Sequence, residues 1–218
     1  MTMLRGWRAM LAILLLGSLG ACIAAQPTSF YTLSSEVERR PPSAGRSLVI
    51  GLGPITLPPY LDRPDIVTRE GPNEMRLAEF HRWAEPLEPL LARTMAQNLY
   101  TLLDTKDVIL LPQRRDTPLD RVVEVEVGRL DADEAGQVVL DARWWVYRGD
   151  GETLLASGHS EAVEQGAPPP DYAAIVAAMS RAVAAVSRDI AGAVRGAPKP
   201  AIKGVREPEP RVMRRPTS

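Results

Sequence analysis

The chain has 218 residues with 26 basic and 27 acidic side chains, 45% apolar and 24% charged, a composition that fits a globular domain and excludes a polytopic membrane protein. A single cysteine and two histidines 78 positions apart exclude an internal disulfide framework, a Cys-rich zinc module and a CxxC redox site. The formal charge of −1 excludes a surface coated in basic residues for nucleic acid.

In chain order, residues 1–21 come first. Arg5 and Arg8 form a basic n-region, Ala9 to Leu16 is an unbroken apolar run, and Leu19-Gly20-Ala21-Cys22 follows. The run is too short for a bilayer span and reads as the h-region of a signal peptide. Leu-Gly-Ala-Cys resembles the lipobox of bacterial lipoproteins. That resemblance implies a diacylglyceryl group on the Cys22 thiol, cleavage before it, and acylation of the new amino terminus. Two or more acyl chains anchor stably, at ~0.8 kcal/mol per buried CH₂. Ile23 stands where retained inner-membrane lipoproteins often carry Asp, so the resemblance points to the outer membrane. Cleavage leaves 24 basic against 27 acidic residues.

Residues 22–28 form a lipidated tether; its six residues after Cys22 reach at most roughly 20 Å. Ser29 to Leu33 is a strand candidate, and the polar stretch Glu36 to Gly45 a loop. Ser47 to Leu57 is apolar and β-branched, but Pro54 demotes it to an edge strand or a strand with a break. Gly51 and Gly53 do not complete a dinucleotide fingerprint, because no helix follows them. Pro58 to Arg69 is turn-rich and runs into a short strand at Ile66 to Thr68. Glu74 to Trp83 fits strand or helix. Glu85 to Leu103 is a helix, with Pro86 in its first turn and an apolar stripe at Leu87, Leu91, Met95, Leu99 and Leu102.

Asp107 to Leu111 is a buried strand. Arg121 to Leu130 alternates, with Val123, Val125 and Val127 on one face and Glu124, Glu126 and Gly128 on the other; Asp131 to Gly136 is a turn. Gln137 to Tyr147 alternates again, placing Leu140, Ala142, Trp144 and Val146 inward. Arg148 to Gly151 makes a hairpin turn to a partner strand, Glu152 to Val163, which completes an antiparallel meander. Asp171 caps a second helix from Tyr172 to about Val194, with its stripe at Tyr172, Ile175, Met179, Val183, Val186 and Ile190. Residues 196–218 are a Pro- and Arg-rich tail too polar to order itself. The fold expected for residues 29–195 is one α/β (α+β) domain, a mixed, mostly antiparallel sheet with two long helices packed on one face.

No HExxH, GxSxG, SxxK or Walker lysine motif occurs. His81 reads as a partly buried residue at a strand end and His159 as one on a sheet face. Glu124 and Glu126 read as a solvated sheet surface that Arg143 on the neighbouring strand could pair. Trp145 points outward beside Tyr147, which suits a covering helix or a protein interface better than bare solvent.

Three segments carry a wider resemblance: Phe30-Tyr31 with Leu33; Tyr60-Leu61-Asp62-Arg63-Pro64 leading to a strand; and Trp83-Ala84-Glu85-Pro86-Leu87 opening a helix. In this order, with the lipobox, they resemble the PqiC-like family of ABC-type transport auxiliary lipoproteins. The resemblance covers most of residues 22–194. It implies an outer-membrane lipoprotein facing the periplasm beside an MCE-type tunnel protein and ABC transporter subunits. It implies no enzymatic activity, no cofactor and no metal. Cys22 is then the anchor, and Tyr60, Leu61, Arg63 and Trp83 are the candidate partner contacts, although the Tyr60–Pro64 segment is equally a rigid turn. A homo-oligomer is open. So are two other readings: a lipoprotein adaptor or assembly module unrelated to lipid traffic, and a hydrolase using His81 or His159 with a serine.

Overall fold

A computed structural model describes residues 26–38, 48–105, 107–112 and 118–197. The lipobox with Cys22, the signal segment, the first tether residues, most of the Glu36 to Gly45 loop and the tail from residue 198 lie outside the described residues.

The order of elements is β1 (Ser29–Tyr31), β2 (Val49–Thr56), a 3-10 turn (Pro59–Leu61), β3 (Asp65–Glu70), β4 (Glu74–Trp83), α1 (Leu87–Leu103), β5 (Asp107–Leu110), β6 (Arg121–Ala132), β7 (Gln137–Arg148), β8 (Leu154–Gln165) and α2 (Tyr172–Gly196). The strands form one eight-stranded mixed sheet with β6 at its centre. Along one side of β6 run β7 and then β8, both antiparallel. Its other side is shared. β2 pairs in parallel with Arg121 to Glu126, and β3 touches the far end through Thr68 and Ala132. Beyond these lie β5, parallel to β2, and the antiparallel β3/β4 hairpin with β1 parallel to β4. The long ladders are therefore antiparallel and the parallel ones short.

Both helices pack on one face, around one core. Val123, Val125 and Val127 of β6, Leu140, Ala142, Trp144 and Val146 of β7, the α1 residues Leu87, Leu91, Met95 and Leu99, and all six stripe residues of α2 belong to it. A register shift between Val127 and Arg129 moves the alternation by one, so that Leu130 and Ala132 rejoin the core face. Trp144 lies over Gly158 of β8, where an added Cβ would stand 2.3 Å from the indole ring, and its Nε1 donates to Ser160 Oγ at 3.1 Å. Asp171 caps α2 by accepting from Ala174 N–H at 3.0 Å.

Three expectations are corrected, and the edge-or-break alternative for β2 is decided. β2 is not an edge strand: it lies between β5 and β6 and takes the break option, with a register shift between Leu52 and Ile55 and Gly53 at φ +130. Pro86 stands one residue before α1, at its N-cap. Asp131 is a buried strand residue rather than the start of a turn. Gly196, assigned to the tail, is the last residue of α2. Trp145 and Tyr147 do point away from the core, and since both helices pack on the opposite face, neither helix covers them.

Candidate functional site

The three resemblance segments meet at one place. Ala84 N–H donates to Tyr31 O at 2.8 Å, and Trp83 N–H donates to Pro64 O at 2.8 Å, so β1, the end of the Tyr60–Pro64 segment and the entry to α1 are sewn together through their backbones. The Tyr60–Pro64 segment is a rigid turn. Leu61 N–H donates to Pro58 O at 2.9 Å, Asp62 N–H to Pro59 O at 3.3 Å and Arg63 N–H to Leu61 O at 2.9 Å. Two prolines at its start, Pro58 and Pro59, fix φ where no helical N–H is required.

Tyr60 reaches from this turn to the middle of the sheet. Its Oη donates to Asp131 Oδ2 at 3.0 Å and accepts from Leu130 N–H at 3.3 Å. The Asp131 carboxylate is fully buried and also binds two guanidinium groups. Arg69 contacts both oxygens at 3.2 Å, and Arg129 contacts Oδ1 at 2.8 to 2.9 Å. A buried carboxylate is costly unless its lone pairs are filled, and here one phenol and two arginines fill them. Burial, with the adjoining Asp131 charge, pushes the Tyr60 phenol up to about 12. The hydrogen bond to Asp131 raises Arg69 as well.

The candidate contact residues divide. Leu61 and Trp83 are 3% and 5% exposed and sit in the core, so their side chains hold the site together and offer a partner no surface. Tyr60 and Arg63 are half-buried, and Arg63 Nε is buried with no hydrogen-bond partner among the described residues. The side chain that composition and spacing did not single out as a contact is Phe30. It is 66% exposed on β1, opposite Arg82 of β4, whose guanidinium binds Asp65 at 2.9 Å. An aromatic at an exposed position of a short first strand was the available signal. Asp131, Arg69 and Arg129 were missed as well: Arg69 lies 62 positions from Asp131, and the turn expected at Asp131 parted it from Arg129 two positions away.

Both histidines have structural partners. Tyr31 Oη lies 2.8 Å from His81 Nδ1, and the His81 ring stacks on Tyr172 with centroids 4.1 Å apart. His159 Nε2 lies 2.6 Å from Asp141 Oδ2 on the neighbouring strand. Among the described residues no group of three or more His, Cys, Asp or Glu side chains is placed to hold a metal ion, and no helix is long and apolar enough to cross a membrane. Glu126, not Glu124, stands opposite Arg143; Glu124 faces Trp145.

The chain is a single α+β domain in which the three resemblance segments converge on one backbone junction. The family follows from comparison. The model of the ABC-type transport auxiliary lipoprotein component matches residues 31–191, and the chain belongs to that family. It is thus an auxiliary component of an ABC-type transport system, of a lipoprotein class anchored to a membrane and facing the cell envelope. Two solved structures share the fold. One, described as an uncharacterized protein, has a TM-score of 0.61 at 20% identity, covering 78% of this chain and 99% of its own. The other, XCC0632 from Xanthomonas campestris, has a TM-score of 0.63 at 18% identity, covering 76% of this chain and 93% of its own. No curated protein matches the chain.

Proposed function

We propose that the protein is an outer-membrane lipoprotein, held by an acylated Cys22 with its domain in the periplasm, that serves as the non-enzymatic end-piece of an MCE-type lipid transport system. The observation that carries this is the position of the family domain relative to the lipobox. The family match starts at Tyr31, nine residues after Cys22. With a tether reaching at most roughly 20 Å, the domain and its exposed Phe30 stay close to the bilayer. The transport energy comes from the partners, and this chain supplies an anchor and a docking surface. Within the family segment that surface is formed by Tyr60 and Arg63, with Leu61 and Trp83 behind them.

The test has two arms. Cells fed a clickable fatty acid should label the wild-type chain and not the Cys22→Ser variant, and the variant should leave the outer-membrane fraction. Affinity purification of the wild type should recover an MCE-type protein, and Arg63→Glu should weaken that recovery. An unlabelled wild type removes the anchor. Recovery of an outer-membrane assembly machine with no MCE protein replaces the transport reading with the adaptor one.

A further inference from the structure

The corner of the sheet made by β1, β4 and β3 carries an apolar strip on the face away from the helices. Its direction follows from the ladders, and the chain is described without a break from Asp65 to Trp83. Arg69 binds Asp131, which stands between the core residues Leu130 and Ala132 and so points to the opposite face. Arg69 pairs with Met75 and Val67 with Leu77, which puts Met75 and Leu77 on that face too. Further along β4 the alternation shifts by one, because Ala78 and Trp83 both belong to the core. His81 stacks on Tyr172 of α2, so its neighbours Phe80 and Arg82 point away from the helices, and Phe30, opposite Arg82, points with them.

Phe30, Met75, Leu77 and Phe80 therefore share one face, and none of them belongs to the core. Phe30 and Leu77 are 66% and 45% exposed, and Met75 and Phe80 are half-buried. A run of apolar side chains along one exposed face marks a contact surface. The cations of this face are already paired: Arg82 binds Asp65 at 2.9 Å, and Arg69 and Arg129 bind Asp131. Closed ion pairs leave the apolar groups to decide what the face meets. The exposed carboxylates of β4, Glu74 and Glu79, favour an uncharged surface over an anionic one.

The chain itself selects the occupant. β1 runs parallel to β4 with Ser29 opposite His81, so its N-terminal end points back along the strip toward Phe80 and Leu77. Cys22 lies eight positions before Phe30, at most roughly 29 Å of extended chain. A short tether keeps the effective concentration of the tethered surface high, so a contact too weak to form alone is populated. Interfacial binding of this kind scales with the apolar area buried.

We propose that the strip is a membrane-contact face. Phe30, Met75, Leu77 and Phe80 enter the headgroup boundary of a zwitterionic leaflet in which the Cys22 lipid sits, and the sheet corner lies against the bilayer with both helices turned away. This inference rests on the acylated Cys22 of the reading above and adds an orientation to it.

The test uses the acylated full-length protein in phosphatidylcholine vesicles. Cys22 is the single thiol of the chain and acylation consumes it, so one introduced cysteine takes a fluorophore selectively. Leu77→Cys places the probe in the strip, and Tyr100→Cys places it on the exposed side of α1. Flotation reads the anchor, and quenching by spin-labelled lipid reads the face. The Leu77 probe should be quenched several-fold more than the Tyr100 probe, equally in low and high salt. Adding Phe30→Ser should cut that quenching several-fold while flotation and circular dichroism stay unchanged, since Phe30 lies outside the core. A chain that does not float overturns the anchor and the strip together. A chain that floats with both probes quenched alike overturns the strip and leaves the anchor standing. A Leu77 probe that reports an apolar setting without quenching by lipid assigns the strip to a second copy and also overturns membrane contact.

Discussion

Tyr60 and Asp131, 71 positions apart, are joined by a 3.0 Å hydrogen bond from phenol to carboxylate. That bond fastens the Tyr-Leu-Asp-Arg-Pro turn to the central strand of the sheet. Asp131 is fully buried, whereas Arg69 and Arg129 keep 25% and 34% of their side chains in water. The carboxylate is thus the member that cannot be released without loss.

Replacing Asp131 by alanine strands two guanidinium groups and the phenol around an empty position. Because both arginines can recover some hydration, the expected loss is about 3 kcal/mol, the lower end for a broken buried pair. Tyr60→Phe should cost about 1.5 kcal/mol, having removed one bond to a charged group and the acceptor for Leu130 N–H. Urea unfolding of the two variants should show that order. A Tyr60→Phe variant less stable than Asp131→Ala would refute the hierarchy.

The same phenol predicts an alkaline limb. Its folded pKa, about 12, lies above the ordinary tyrosine value of 10.0. Between those values the folded state binds more protons than the unfolded one, so stability falls as pH rises. The Tyr60 contribution is complete below pH 10 and is lost as pH passes through 12. Stability measured from pH 9 to 12 should fall less steeply for Tyr60→Phe than for the wild type, and parallel curves would contradict this.

Asn98 of α1 is fully buried between three segments. Its Nδ2 donates to Ser187 Oγ of α2 at 3.2 Å, and its Oδ1 accepts from Ser35 Oγ at 2.7 Å. Ser187 keeps a 2.7 Å bond to Val183 O when Asn98 is gone. Asn98→Ala should therefore cost about 2 kcal/mol, and Ser187→Ala less. In a double-mutant cycle the pair should couple by at least about 0.5 kcal/mol, read from thermal or urea unfolding.

Gly158 admits the Trp144 ring, and a methyl group there would overlap it at 2.3 Å. Gly158→Ala should destabilise by about 1 to 3 kcal/mol, the range for an overpacked core. In a Trp144→Leu background the six-membered ring is absent and the added penalty should shrink below half of that. An equal penalty in both backgrounds would locate the strain elsewhere.

Legibility followed the range of the interaction. The two helices and the β6–β7–β8 meander were readable because an amphipathic stripe or a period-two alternation is a local consequence of having one buried face, and Val123 to Val127, Leu140 to Val146 and Tyr172 to Ile190 keep those periods without interruption. Pro54 was half readable: a proline must break a ladder, but whether that strand lies at an edge depends on what pairs beside it.

Local chemistry alone determined the alternating and helical elements, the cap at Asp171, and the position of the single thiol, Cys22, behind an apolar run. Three-dimensional packing decided the rest. It set the parallel pairings of β1 with β4 and of β2 with β5 and β6, the burial of Leu61 and Trp83 in place of their exposure, the placing of Asp131 among Tyr60, Arg69 and Arg129, and the face away from the helices on which Glu124 and Trp145 lie side by side. Each of these brings together separate segments of the chain, and the free energy of such a contact depends on the whole sheet being formed, which no window along the chain contains.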